Sequence, residues 1–221
     1  MNTITLLIEV LVIFAALLIC YKIFGKVGVI AWVGMATILA NIITAKQADI
    51  LGMSTAIGTV LFASTFLATD ILTEFHSLQD ARKAVLVGLF ADVMLIVATQ
   101  IALAYIPSEF DYANESMQTL FSLNLRISLA SAVMYLVANL GDVYLFSKLK
   151  ERGGALWVRN NVATILCNCL ENFGFIALAF AGIYDAATII EIAVSTSIIE
   201  AIVALLDTPF LYIAKGMNHE S

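Results

Sequence analysis

The sequence has little charge and almost no proline. Of its 221 residues, only 13% are charged and two are proline, whereas 62% are hydrophobic and the mean hydropathy is +0.98. Soluble domains contain about 25% charged and about 45–50% apolar residues. The composition therefore excludes an ordinary soluble domain, and without Ser/Gly-rich or charge-rich stretches there is little room for linkers or disorder.

Cysteine and histidine are also scarce. Cys20, Cys167 and Cys169 lie within or beside apolar segments without metal-ligand spacing, which predicts buried thiols rather than a metal site or disulfide framework. The two histidines, His76 near a segment end and His219 in the tail, offer no nucleophile–base pair for a hydrolase. No phosphate-binding glycine loop or basic patch accompanies the net charge of −6. We therefore expect no catalytic activity, no cofactor and no nucleic-acid partner.

What the sequence does contain is long apolar segments. A helix needs about 20 mainly apolar residues to cross a bilayer, and seven segments meet this length. They predict an all-α, polytopic membrane bundle, and strands are not expected because the segments are too long and do not alternate. The first segment lacks the basic start and the cleavage site of a signal peptide, so it is predicted to be a true span. The segments are roughly 4–24, 27–45, 51–75, 82–106, 118–148, 157–182 and 187–213.

Basic residues fall almost entirely on one side of this predicted bundle. If the connections alternate between two sides, nine Lys and Arg lie on one side and only Lys46 on the other, with Arg126 inside the fifth segment. Because cationic loops stay in the cytoplasm, the N-terminus is predicted outside, the C-terminus inside and the acidic 107–117 loop outside. The nine are Lys22, Lys26, Arg82, Lys83, Lys148, Lys150, Arg152, Arg159 and Lys215.

Carboxyl groups interrupt several apolar segments. In the stretch STFLATDILTEFH, Asp70, Thr73 and Glu74 share one helical face. A carboxylate at membrane depth costs on the order of 3 kcal/mol, so unless it lies at a helix end it indicates a function. Asp70, Asp92 and Asp142 are predicted at similar depth on three helices, and their mutual repulsion suggests a proton relay or a bound cation.

The sixth segment carries a polar stripe near mid-bilayer. Asn168, Glu171, Asn172 and Phe175 follow i, i+3, i+4, i+7 spacing and so share a face, roughly 15–25 Å along the helix. One interpretation is an interhelical hydrogen-bond cluster, worth about 1 kcal/mol per bond. The other is a ligand site, which the ionisable glutamate favours.

The fifth segment carries Arg126, Asn139 and Asp142. Sixteen residues separate Arg126 from Asp142, roughly 24 Å of helix, so the two cannot pair. Arg126 is therefore expected to find a carboxylate on another helix, either as a structural clamp or as a hook for an anion or carbonyl. The candidates by depth are Glu9, Glu191 and Glu200.

Three stretches, FLATDILTE, NLGDVYLFSKLKERGGALWVRNN and ENFGFIALAFAG, resemble the queuosine precursor transporter family, also called the vitamin uptake transporter family, over roughly residues 30–213. Its members carry an Ala-Thr-Asp closing an early helix, an Arg sixteen residues before an Asp-Val, a Trp opening the next helix, and an Asn three residues before an Asp-Thr. The matching positions here are Ala68–Asp70, Arg126 with Asp142-Val143, Trp157, and Asn168 with Glu171.

The chain departs from this pattern at two positions. Glu171-Asn172 replaces the Asp-Thr pair, and Glu200 stands nine residues before Pro209, where many members have lysine. The resemblance implies one transporter domain over 1–221, with a six-helix core at about 27–213 and an additional N-terminal helix at about 4–24.

The resemblance also implies a function, the import of a 7-deazaguanine for queuosine modification of tRNA. The base is the 7-cyano or 7-aminomethyl compound, or queuine. Glu171 is expected to accept the guanine-like edge, Asn168 and Asn172 to bind neighbouring atoms, and Glu200 to offset a ligand ammonium. Asp70, Asn139 and Asp142 would line the inner half, and Arg126 completes the expected substrate-binding set.

The implied partners are the deazapurine base and the bilayer, and a homodimer stays open because small residues permit helix contacts without requiring them. One alternative is a vitamin-binding subunit of an energy-coupling-factor importer driven by a separate ATPase. Another is a seven-helix receptor or photoreceptor, which is disfavoured because Lys215 lies too close to the end of the last segment for a retinal Schiff base.

Overall fold

The computed structural model describes residues 1–121 and 125–217; His219 and residues 122–124 of the fifth predicted segment lie outside the described residues. The described elements are α1 (Asn2–Ile43), β1 (Gln47–Ile50), β2 (Met53–Ala56), α2 (Thr59–Phe75), α3 (Leu78–Ala104), α4 (Asn114–Phe121), α5 (Leu125–Glu151), α6 (Leu156–Phe180) and α7 (Ala186–Met217).

Within the described ranges, five helices are long and apolar enough to cross a membrane, namely α1, α3, α5, α6 and α7. The shorter α2 has 17 residues, fourteen of them buried, and it packs against α1, α3, α5 and α7 at the centre of the bundle. The outer helices expose large apolar side chains such as Leu11 and Phe90. Such an apolar exterior suits lipid, and the prediction of a helical membrane bundle is confirmed.

The long helix α1 is divided at Gly25, which has φ 58° and ψ −148°. A straight helix of 42 residues would be roughly 63 Å long and would hold its ends far apart. Here the Asn2 side chain donates to the Asp49 carbonyl at 2.9 Å, just beyond the other end of α1. The two halves, 2–24 and 26–43, therefore run antiparallel, and the break lies between the predicted segments 4–24 and 27–45.

The Gly25 break lies at the same end of the bundle as the connection between α2 and α3. Lys26 Nζ lies 3.3 Å from an Asp80 carboxylate oxygen, and Tyr21 Oη lies 3.2 Å from His76 Nε2. Burial, and then the nearby Lys26 ammonium, lower the pKa of His76, against a smaller opposing effect of Asp80. These contacts give His76 a structural role at this end.

A two-stranded antiparallel hairpin follows α1, so the expectation of no strands is wrong for residues 47–56. Gln47 pairs with Ala56 and Ile50 with Met53. The turn residues Leu51 and Gly52 both have positive φ, as in the tight turns that match the twist of paired strands. A hydropathy window averages over such short strands, which is why the predicted helix 51–75 begins only at Thr59.

Two glycines join α5 to α6 in a tight turn. Gly153 has φ 75°, and the Gly154 amide donates to the Leu149 carbonyl at 3.0 Å, a common way to end a helix. The turn folds α6 back along α5 and places Thr164 opposite Asp142, with Oγ1 3.2 Å from Oδ1. The fifth predicted segment, 118–148, is divided between α4 and α5.

We expect Gly25→Ala to destabilise the protein by about 1–3 kcal/mol, because an L side chain at this φ strains the backbone even though a Cβ would meet no atom within 4 Å. The measurement is thermal unfolding in detergent. Gly216→Ala is the matched control, since its Cβ would also meet open space but its helical backbone accepts alanine. Equal melting temperatures for the two variants would contradict a strained break at Gly25.

Candidate functional site

A cavity of ≈ 470 Å³ lies between the second half of α1 and helices α2, α3, α5, α6 and α7. It reaches the end of the bundle that holds the hairpin and the α6–α7 turn, since Gln47, Gly58 and Tyr184 contribute to its wall. Sites for small molecules typically have volumes of about 300–1,000 Å³. The cavity is therefore large enough for a compact organic ligand.

Three carboxyl groups face this cavity from three helices: Asp92, Glu171 and Glu200. Asn41 Nδ2 donates to Asp92 Oδ1 at 2.9 Å, and Asn172 Nδ2 donates to Glu200 Oε2 at 2.6 Å. Glu171 Oε2 is buried and has no hydrogen-bond donor among the described residues. None of the described lining residues is Lys, Arg or His. The cavity is thus suited to a ligand that brings donors or positive charge.

Aromatic side chains form much of the remaining wall. Phe175 and Phe180 have ring centroids 6.3 Å apart, and Phe180 and Tyr184 have centroids 5.4 Å apart at an interplanar angle of 32°. Phe62 and Tyr135 also line the cavity, with ring centroids 6.2 Å apart. Aromatic rings in a cavity wall provide surfaces against which a planar heterocycle can stack.

The structure separates the eight predicted site residues into three places. Glu171, Asn172 and Glu200 line the cavity. Arg126 lies at the end of α6, where Nε donates to the Leu178 carbonyl at 2.6 Å and Nη2 to the Ala181 carbonyl at 2.8 Å. The other four, which are buried and outside the cavity lining, are Asp70, Asn139, Asp142 and Asn168.

The two hydrogen bonds described for Arg126 go to main-chain carbonyls at the end of α6, so they join α5 to the α6–α7 turn. The same turn is ordered by Asp185, whose carboxylate accepts from the Thr188 amide and hydroxyl at 2.9 and 3.1 Å. These two hydrogen bonds lower the pKa of Asp185. Together the contacts hold the α6–α7 turn, including Tyr184, beside the cavity.

The predicted grouping of Asp70, Asp92 and Asp142 is wrong. Asp92 belongs to the cavity with Glu171, whereas the third acidic group beside Asp70 and Asp142 is Asp207. The expected similar depth fails for Asp92, which lies midway along α3 at the level of the cavity, whereas Asp70 lies near the Glu74 end of α2. Asn41, a polar residue within an apolar segment, was the signal in the sequence that could have located the Asp92 site.

Polar side chains continue from the cavity into the bundle. On α5, Asn139 lies one turn from the cavity residue Tyr135 and donates to its carbonyl at 3.0 Å. On α6, Asn168 lies one turn from Glu171. The side-chain oxygens of both asparagines are buried and lack a donor within the described chain. These amides lead from the cavity toward Asp142.

The opposite end of the bundle is closed by ion pairs. The Arg159 guanidinium binds the Glu74 carboxylate, and Lys150 Nζ donates to the carbonyls of Thr73 and Glu74 at 2.9 and 2.6 Å. The guanidinium also stacks over the Phe146 ring, 5.4 Å from its centroid. These contacts join α2, α5 and α6 at the end farthest from the hairpin.

Comparison with known proteins identifies the family. A family model described as "Putative vitamin uptake transporter" matches residues 56–214. A Bacillus subtilis protein named "Probable queuosine precursor transporter" is 33% identical over 207 residues, which cover 92% of this chain and 90% of that protein. An Escherichia coli protein named "Queuosine precursor transporter" is 24% identical over 146 residues, 64% of this chain and 62% of its own length. No solved structure matches the chain.

The family match, together with five helices able to span a bilayer, identifies the chain as a multi-pass membrane protein of the vitamin uptake transporter family.

Proposed function

We propose that the protein imports a queuosine precursor, a 7-deazaguanine base, and binds it in the cavity through Glu171. The names of the relatives support the substrate class. The observation that carries the binding site is the buried Glu171 carboxylate oxygen, which faces the cavity and has no donor among the described residues. Leaving such an acceptor unsatisfied costs about 1–3 kcal/mol or more, so a ligand that supplies donors is favoured.

A deazaguanine supplies these donors on one edge. Its ring N–H and its exocyclic amino group lie side by side, so a carboxylate accepts both in a bidentate pair. The flat bicycle would stack on aromatic rings of the lining, which include Phe175, Phe180 and Tyr135. Recognition of the polar edge by Glu171 and of the faces by aromatic rings accounts for the lining.

Asn172 has a different role in this proposal from the one expected. Its amide nitrogen is committed to Glu200 and, at 3.3 Å, to Ser197, so it positions Glu200. Glu200 and Asp92 then favour a base that carries an ammonium. The 7-aminomethyl compound and queuine both carry a protonated amine, whereas the 7-cyano compound does not.

Of the other predicted site residues, Arg126 holds the α6–α7 turn beside the cavity. Asn168 and Asn139 extend the polar surface from the cavity toward the Glu74 end of the bundle, and Asp70 and Asp142 lie farther along the same direction. The inner closure by Glu74, Arg159 and Lys150 suits a state in which the cavity is reached from the hairpin end only.

The proposed topology has seven membrane-crossing segments, with the N-terminus outside and the C-terminus inside, in a single domain. The two halves of α1 count as separate segments, and α2, α3, α5, α6 and α7 supply the others. Contacts between Lys26 and Asp80 and between Lys150 and Glu74 support this arrangement, because they bring basic residues to one end. Lys46 lies at the other end with the hairpin. The family match at 56–214 covers α2 to α7, and both halves of α1 precede it.

We expect Glu171→Gln to weaken uptake about 10- to 100-fold, since one charge-assisted hydrogen bond is lost. The measurement is recovery of queuosine in tRNA, in a bacterium that neither makes nor imports the precursor and is supplied with each base at low concentration. Glu191→Gln is the matched control, because it removes a carboxylate of the same helical bundle from an exposed position outside the cavity.

Recovery by the wild type and the control, and its loss in Glu171→Gln at equal membrane expression, supports the proposal. We expect the 7-aminomethyl base to be used at a lower concentration than the 7-cyano base. Failure of the wild type with every base would contradict the proposed function, and an active Glu171→Gln would move the binding site elsewhere.

The topology predicts which surface positions can be labelled from outside the cell. In a background without native cysteines, Ser108→Cys should react with a membrane-impermeant maleimide in intact cells, whereas Glu151→Cys should react only after permeabilisation. An epitope before Met1 should be accessible from outside, and Lys22→Cys should not. Labelling of Lys22→Cys in intact cells would show that α1 does not form two spans.

A further inference from the structure

A second polar cluster lies apart from the cavity. It consists of Asp70 on α2, Asp142 on α5 and Asp207 on α7, and each of these side chains is 0% exposed. They face one another, and Asp70 and Asp142 are within hydrogen-bonding reach. None of the three lines the cavity of Glu171. The central helix α2 and its neighbours α5 and α7 therefore each place a carboxyl group in this cluster.

The hydrogen bonds within this cluster are incomplete. Thr164 donates to Asp142 Oδ1 at 3.2 Å, and Asn160 Nδ2 donates to Asp207 Oδ1 at 2.6 Å. Both oxygens of Asp70 and the second oxygens of Asp142 and Asp207 have no donor within the described ranges. The same is true of the fully buried Asn160 amide oxygen beside Asp207. The cluster is thus a set of acceptors that lacks donors.

The surrounding elements supply no described counter-charge in contact with these acids. From α6 the titratable group that faces Asp70 is Cys167. From α1 and α3, Lys26 is paired with Asp80. The nearest cations at the inner end, Arg159 and Lys150, bind Glu74 one turn along α2 from Asp70.

Two carboxyl groups within hydrogen-bonding reach repel each other unless a proton or a cation lies between them. Among the described residues, no group of His, Cys, Asp and Glu has the arrangement needed to hold a metal ion. A proton needs only one donor and one acceptor oxygen, which Asp70 and Asp142 supply. The geometry therefore favours a proton over a metal cation.

We propose that Asp70, Asp142 and Asp207 form a proton-binding site, separate from the substrate cavity, which couples uptake of the base to proton entry. A carboxylate of the cluster takes up a proton that enters from the outer side past the Asn168 and Asn139 amides, and it becomes a neutral carboxyl group. It gives the proton up on the inner side once the Glu74–Arg159 contact opens. This inference depends on the proposed transport function.

The test uses the full-length protein in lipid vesicles with 7-aminomethyl-7-deazaguanine as substrate. Three quantities are measured: equilibrium binding, exchange of labelled for unlabelled base across the vesicle, and net uptake driven by an inward proton gradient. With one proton per base, a gradient of about one pH unit supports up to about tenfold accumulation. The variants are Asp70→Asn and Asp142→Asn, with the exposed Asp49→Asn as matched control.

We expect wild type and Asp49→Asn to accumulate the base, and the two cluster variants to bind and exchange it without accumulation. Accumulation by both cluster variants would overturn the proposal, as would a response of the wild type to a sodium gradient alone. Loss of binding with loss of uptake would place the cluster in the substrate site instead. If either variant fails to fold, proton entry that accompanies uptake by the wild type, followed with an internal pH dye, decides the question.

Wild type that neither binds nor exchanges the base contradicts the proposed function itself. Exchange by the wild type without a response to the proton gradient contradicts only the coupling.

Discussion

A carboxyl group that leaves water for an apolar interior must be neutralised, hydrogen-bonded or bound to a ligand, and this constraint organises the bundle. The acidic side chains at its centre have few donors and no described basic partner in contact, so their placement is costly. The fold divides them between two levels, one open to a cavity and one enclosed. The cavity group is Asp92, Glu171 and Glu200, and the enclosed group is Asp70, Asp142 and Asp207.

The central helix α2 shows how selective this arrangement is. Its hydroxyl side chains at 64, 65, 69 and 73 each donate to a carbonyl of α2 itself, at 2.6–2.9 Å. They can therefore be buried against neighbouring helices without outside partners. Asp70 cannot form a hydrogen bond of this kind within α2, because a carboxylate has no proton to donate to a carbonyl. It is the one position on α2 where burial demands a proton or another donor.

The two ends of the bundle differ in what opposes entry. At the hairpin end the walls of the cavity are aromatic rings and amides, and the α6–α7 turn is held by Arg126 and Asp185. At the other end a path is blocked by the Glu74–Arg159 ion pair and by Lys150, which ties α5 to α2. When helices shift, the charged groups of an ion pair can separate and be hydrated by water. Apolar side chains of a sealed core gain no such compensation on exposure. A closure built from charges is therefore suited to opening.

The sequence by itself determined the membrane class and the limits of most helices, because hydropathy and spacing along a helix are local properties. It also located the break near Gly25, between two predicted segments. Only the tertiary structure decided which side chains meet: Asp92 with the cavity, Asp207 with Asp70 and Asp142, Asn172 with Glu200, and Arg126 with the α6 carbonyls. These contacts depend on the rotation of each helix about its axis and on the packing of its neighbours. Neighbouring residues on a helix point about 100° apart although they differ little in depth. The hydropathy of one segment therefore does not determine which side chain of another helix each residue contacts.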